Sequence, residues 1–536
     1  MDQLRADLPV RYMERFGAGG FRYLYDDGIV FEDAHHAHAN TETIVGHATL
    51  ATGAHPSSHG MVGNLWFDRE SGFTTYNVED ARYPLLSKDA GVDQDAEIDP
   101  TQRAARSDGR SPAAMLVPTL ADALYEAFGE SSKRIGVSVK DRGAISMAGH
   151  HGTAYWFSKA GGEFVTSRYY LDRYPEWVLE HNAGRPAEHF AGKSWTLLHD
   201  IETYDFADAD DQPWETDVAG FGRTFPHSFG DGTSRYFTTW LTLSPAGDRL
   251  VLDFAKRALV EEQLGVDDVT DYLSVSFSST DYVGHVFGPS SLEAEDNMLA
   301  LDQTIAELLA HVDATVGLDN TLIVLSADHG APDAPGYRQA QGLPGGYVDP
   351  EQWDSAAAID RIKSTFGIDG ELVETYAHPY VYFSDDARAD PDIDAAALEA
   401  AVAAEIEQFE GVAHAVSSAA MRNGEMPEGE VGMRIANNFH PDRSGDVMIV
   451  FEPHFFINDF DGLTVASTHG SPWTYDTHVP MVFAGFGLPG RSVERTVHTV
   501  DIAPAIAVLA GIESPAGADG SAPAEILNAR MTEEQP

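Results

Sequence analysis

Between residues 272 and 330 the chain alternates strand-like and helical periodicity in a pattern that few folds accommodate. YLSVSFSS reads as a strand, DYVGHVFGP as a loop, and Ser290 with Glu293 as a capping box opening a long helix. Met298, Leu301, Ile305, Leu308 and Val312 recur at helical spacing, and Gly317 closes the run. TLIVLS then reads as a fully buried strand ending at Asp328, His329 and Gly330. Strand, helix, strand with apolar strands predicts a right-handed parallel crossover, hence an α/β fold. Ligands of such sheets gather at the carboxyl ends of the strands, where Asp281 and Asp328 both fall.

The flanking sequence fits the same plan. A short amphipathic helix is expected from about Leu8, and a strand over residues 23–31. His35, His36 and His38 form an HxH pattern on one short loop, which a surface turn explains equally well. Thr43 precedes Gly46 and a run of helix formers at 48–51 that stops at Gly53. That spacing puts a hydroxyl at a helix start, where free N–H groups and the dipole favour negative charge. PTLADALYEAFG predicts a helix, RIGVSVKDRG a strand whose exit carries Lys140 and Arg142, and residues 394–411 a further helix. DVMIVFEP, the strand after YDTHVP and a closing helix in TVDIAPAIAVLAGI complete the core. One domain over 1–536 is expected. Its core falls at about 1–67, 112–145, 236–335 and 441–525, with insertions at about 68–111, 146–235 and 336–440.

Composition removes several alternatives. At 536 residues and 43% hydrophobic, the chain can bury a large core. With no cysteine, disulfides, thiolate ligands and cysteine nucleophiles are excluded together. No apolar run approaches the roughly 18 residues of a membrane span, and no signal segment opens the chain. A net charge of −51 argues against a nucleic-acid partner, but not against a small phosphate ester in one locally positive pocket.

Without thiolates, a site for hard cations must be built from carboxylate and imidazole. Asp281 with His285, Asp328 with His329, and His478 in YDTHVP lie on three short loops beside buried strands, and Asp2 and Thr43 can join them. Seven ligands suffice for two metal ions with open positions for substrate or water. Lys140 and Arg142, two apart on an extended segment, would point to one side and bind one phosphoryl group together.

These residues resemble the alkaline phosphatase superfamily, in its threonine-nucleophile branch of phosphate-irrepressible-type alkaline phosphatases and related nucleotide pyrophosphatases/phosphodiesterases. The matching stretches run nearly end to end: DQLR, ETIVGHATLATG, HPSSHGMVGN, VKDRGAI, STDYVGHVFGP, ADHG and THGSPWTYDTHVP. The resemblance implies an alkaline-phosphatase-like three-layer α/β/α core with a largely parallel central sheet and inserted cap segments. It implies two Zn²⁺, one on Asp281, His285 and His478, the other on Asp2, Thr43, Asp328 and His329. Thr43 would be the nucleophile, passing through a phosphothreonine, with Asn64, Lys140 and Arg142 on the phosphoryl oxygens. The Lys-x-Arg pair favours a monoester dianion, because related diesterases carry an apolar pocket there instead. The rival on the same metal core is a phosphodiesterase or nucleotide pyrophosphatase. A sulfatase needs a C/S-x-P-x-R motif that is absent, and a catalytically silent zinc protein is opposed by the complete ligand set. In the family a central strand precedes the aspartate matching Asp2, whereas here only Met1 does, so unpaired backbone groups in the sheet are expected, as is a start assigned late or truncated. The resemblance also implies a periplasmic or secreted enzyme; a monomer is compatible with the sequence.

Overall fold

The computed structural model describes residues 1–350, 357–388, 391–460 and 462–533. Two four-stranded sheets carry the site. In the first the order is Leu322–Ser326, Met481–Gly485, Ile29–His35, Arg491–His498. Met481–Gly485 runs antiparallel to both neighbours, and Ile29–His35 is parallel to Arg491–His498. In the second the order is Glu163–Val165, Thr153–Ser158, Arg134–Ser138, Tyr272–Ser276. Arg134–Ser138 there is parallel to both neighbours, whereas Glu163–Val165 is antiparallel.

The strands on either side of the long helix therefore do not pair with each other. Tyr272–Ser276 and Leu322–Ser326 each end a different sheet, and most of their residues are partly rather than fully buried. A strand paired on one side keeps water on the other, which is why TLIVLS is less buried than its composition implies. Met1 and Asp2 span the carboxyl ends of both. The Met1 ammonium donates to Ser326 O at 2.9 Å, Asp2 N to Phe277 O at 2.9 Å, and Asp328 N to Met1 O at 3.3 Å.

Several local expectations shift. Residues 21–27 form a helix, with Phe21 and Leu24 buried three apart, before the Ile29–His35 strand begins. DYVGHVFGP is not a loop: Ser279–Phe287 is helical. Ser291, not Ser290, caps the long Leu292–Thr315 helix, accepting from Ala294 N. Met298, Leu301, Ile305, Leu309 and Val312 are its buried stripe, each burial stabilising by about 1.5–3 kcal/mol. Val447–Phe451, assigned to the core, instead joins Val373–Ala377, Tyr380–Phe383 and Val412–Ser417 in a third four-stranded sheet. Among the described residues no helix is long and apolar enough to cross a membrane.

Candidate metal and phosphoryl site

Thr43 is the first residue of the Thr43–Thr52 helix, follows the extended Glu42, and is fully buried. The helix packs so tightly on the Asp328 loop that a Cβ at Gly46 would fall 1.9 Å from the Asp328 carbonyl oxygen. Only glycine allows that approach, so Gly46 fixes the distance between the hydroxyl and the aspartate. Asn64 Oδ1 accepts from Ile44 N at 3.2 Å, using one free helix N–H and leaving its Nδ2 amide as a donor for a ligand.

Lys140 and Arg142 come from one short segment, but not an extended one. Lys140 caps and Arg142 lies in the first turn of the Asp141–Ala148 helix, which follows the Arg134–Ser138 strand. The helical turn aims them apart. Arg142 Nη2 sits 3.4 Å from Thr43 Oγ1, while Nη1 donates to Asp99 Oδ2 at 2.7 Å. The Lys140 ammonium pairs with Asp2 Oδ2 at 2.9 Å and with Asp281. Burial works against the charge on Lys140, but Asp2 and Asp281 outweigh it and its pKa is raised.

Two groups of metal-type donors flank this centre. Asp281, His285 and His469 form one, each offering a donor atom within 4.8 Å of the others. Asp281 and His285 are four apart on the Ser279–Phe287 helix, so they share a face, with His285 Nε2 3.2 Å from Asp281 Oδ1. His469 Nε2 approaches the same oxygen at 3.5 Å. Backbone carbonyls fix both rings: His285 Nδ1 donates to Ser467 O and His469 Nδ1 to Thr41 O, each at 2.8 Å. The Nε2 lone pairs therefore face Asp281, the arrangement that metal-binding histidines adopt.

Asp2, Asp328 and His329 form the second group, all three fully buried. His329 Nδ1 donates to Gly330 O at 3.0 Å, turning Nε2 towards Asp328 Oδ2 at 3.3 Å and Asp2 Oδ1 at 3.6 Å. Neither Asp2 Oδ1 nor His329 Nε2 has a hydrogen-bond partner, although both are buried. Orphaned buried acceptors of this kind fit a cation and are costly without one. Burial, reinforced by Asp281 and Asp328, holds the Asp2 carboxyl well above the ordinary range.

His478 is not brought here. Its Nε2 donates to Glu32 O at 2.9 Å, and its ring stacks on His35 with centroids 4.7 Å apart. The short Thr474–Thr477 helix carries the chain from the His469 loop to the sheet, so position 478 emerges beside the Ile29–His35 strand. His469 occupies the place expected for His478. It lies in THG, within a stretch already singled out, but nothing in the spacing tells which histidine turns inward. Asp99 and His47 also escaped notice. His47, one turn after Thr43, donates Nδ1 to Thr43 O at 2.9 Å and lies 3.0 Å from Asp328 Oδ2.

A nucleophile-type hydroxyl, buried cations and two imidazole–carboxylate clusters at strand ends define a metal-dependent hydrolase of phosphoryl esters. The family model described as type I phosphodiesterase / nucleotide pyrophosphatase matches residues 1–472, and the chain belongs to that family. It is 32% identical over 532 residues to the alkaline phosphatase PafA of Elizabethkingia meningoseptica, covering 98% of this chain and 93% of that one. It is 33% identical over 535 residues to the alkaline phosphatase PhoV of Synechococcus elongatus, covering 98% and 92%. The crystal structure of wild-type PafA superposes with a TM-score of 0.87 at 31% identity, over 98% of this chain and 97% of that one.

Proposed function

We propose that the chain is an alkaline phosphatase, a phosphomonoesterase that works through a phosphothreonine on Thr43. The observation that carries this reading is Arg142 Nη2 beside Thr43 Oγ1 at 3.4 Å, with the Lys140 ammonium reaching both acidic clusters. Two buried cations suit the dianion of a monoester better than the monoanion of a diester.

Asp281, His285 and His469 would hold one zinc ion, and Asp2, Asp328 and His329 with the Thr43 hydroxyl the other. Such ions supply Lewis acidity, lowering the pKa of a bound hydroxyl and stabilising charge on the departing oxygen. The chain supplies position and hydrogen bonds. Asn64 Nδ2 and Arg142 Nη2 would hold non-bridging oxygens so that Thr43 Oγ meets phosphorus opposite the leaving group. Thr43 gives up its hydroxyl proton to water, attack forms the Oγ–P bond, and the bond to the leaving oxygen breaks, that oxygen taking a proton from water and departing as the alcohol. Water then attacks phosphorus from the opposite side, breaks the Oγ–P bond and releases orthophosphate, restoring Thr43. His47 steadies the Thr43 carbonyl and Asp328 throughout.

The family description favours a second reading, a phosphodiesterase on the same core. Turnover of an aryl phosphate monoester and of a matching diester, by the zinc-loaded wild type and the Lys140→Ala/Arg142→Ala variant, separates the two. A dominant monoesterase whose preference collapses in the variant supports the phosphatase. A faster diester that the variant barely changes reverses the assignment. The same reading places the enzyme in the periplasm or the medium; activity confined to the cytosolic fraction of the source cells would overturn that part.

A further inference from the structure

The histidine that the catalytic cluster leaves aside takes part in another constellation. Asp33, His35 and His478 each offer a donor atom within 4.8 Å of the others, and none belongs to the site above. Backbone geometry explains the meeting. Asp33 and His35 are two apart on one strand and so share a face, and His478 lies opposite His35 in an antiparallel bridge. Side chains fixed by a sheet in this way are held more firmly than loop side chains.

The hydrogen bonds sort the ring nitrogens. His478 Nε2 points at the Glu32 carbonyl at 2.9 Å, and a carbonyl only accepts, so Nε2 carries the proton and Nδ1 the lone pair. His35 Nδ1 meets Thr477 Oγ1 at 3.2 Å, while Nε2 donates to Asp33 Oδ1 at 2.9 Å, so an ion bound at Nε2 takes the place of that proton, which is released to solvent. Thr496 Oγ1 donates to Asp33 Oδ2, holding that carboxylate in place. Each donor group thus has a partner that orients it, as ligands of bound metals do. The two rings are stacked, 18° from parallel with centroids 4.7 Å apart. The Asp33 side chain is 42% exposed, giving ions and water access from solvent.

The geometry points to a third divalent-metal site, of the zinc type, on Asp33 Oδ1, His35 Nε2 and His478 Nδ1, with water completing the shell. Two imidazoles and one carboxylate suit zinc or copper rather than calcium or magnesium. Donors of a tetrahedral zinc lie about 3.3 Å apart. The present donors lie within 4.8 Å of one another, with the Asp33–His35 pair at 2.9 Å, so small side-chain shifts bring the set to that spacing. The ion would be structural in effect, because it ties position 478 to the sheet, at the end of the segment that runs from His469 through the Thr474–Thr477 helix.

The test uses the full-length protein equilibrated with Zn²⁺ alone at micromolar free concentration, followed by zinc counting per chain and hydrogen exchange over residues 468–480. Asp33→Asn and His35→Gln keep shape and some hydrogen bonding. Each should carry one zinc fewer than the wild type, exchange faster over 468–480, and hydrolyse an aryl phosphate at the wild-type rate in excess zinc. Equal zinc content in wild type and variants overturns the site. So does a lost ion accompanied by unchanged exchange, because the loop would then owe nothing to it. A difference of one ion is the criterion, so a catalytic core holding other than two ions leaves this test intact.

Discussion

At the scale of single residues, the guanidinium of Arg142 divides its work. Nη1 is committed to Asp99, itself 8% exposed and held by Thr101 N at 2.9 Å, so Nη2 is left to face Thr43. Burial would raise the Asp99 carboxyl, but Arg142 and Lys140 hold it well below the usual range. Asp99→Asn should therefore lower monoester kcat/KM, by about tenfold or more, while the diester falls less. Equal losses for both esters would mean that Asp99 only supports the fold. His469→Ala should abolish a zinc site and most turnover, whereas His478→Ala should leave turnover near wild type; the reverse result would restore His478 as the catalytic ligand. The sequence pointed to Thr43, Asn64, Lys140, Arg142 and five of the six clustered acids and histidines through motif and strand-end position. It could not point to Asp99, which lies in an aperiodic stretch whose only local signal is the cap of the short Pro100–Arg103 helix. Long-range pairing leaves no trace in local spacing.

Among the elements, legibility followed the strength of local signals. The Leu120–Phe128 helix carries a full capping box, Thr119 with Asp122, and its amphipathic run was plain in PTLADALYEAFG. Asp122 also binds His150 Nδ1 at 2.8 Å, and that pairing outweighs burial to raise the histidine pKa. Thr119→Ala should destabilise the protein by about 1 kcal/mol, read as a shift in denaturant midpoint at unchanged slope. A loss below a few tenths would show that Asp122 and His150 hold the helix start unaided. The Ser279–Phe287 helix was missed for a definite reason. Gly284 and Gly288 within nine residues read as loop, yet a Cβ at Gly284 would collide with Gln3 Oε1 at 1.8 Å. Glycine there makes room for the Gln3 side chain, which donates Nε2 to Asp281 Oδ1 at 3.0 Å. The strands flanking the long helix were read correctly as strands, but their burial was overestimated, because apolar composition does not reveal how many neighbours a strand has.

For the whole molecule, the charge of −51 is a property of the body, while the site keeps its cations inside. Some buried acids are uncharged as well. Glu215, 6% exposed, has its carboxyl pushed up to about 9 by burial and by Glu293. Between its ordinary value of 4.5 and that value the folded chain binds a proton that the unfolded chain does not. The stability this contributes is complete below the ordinary range and is lost as pH rises towards about 9. Glu215→Gln, which keeps an acceptor for the Gln212 N–H, should gain on the wild type in melting temperature steadily from pH 5 to about pH 9. A constant difference across that range would show that Glu215 is ionised in the fold.

The junction between the two sheets has a mechanical meaning. Asp2 is tied through its backbone to Phe277, at the end of one sheet, and its side chain lies against His329, just past the end of the other. An ion shared by Asp2, Asp328 and His329 would be a rivet through that seam. Loading the active site and clamping the ends of the two sheets together would then be the same event, and the apo and loaded forms would differ in stiffness along this line before they differed in shape.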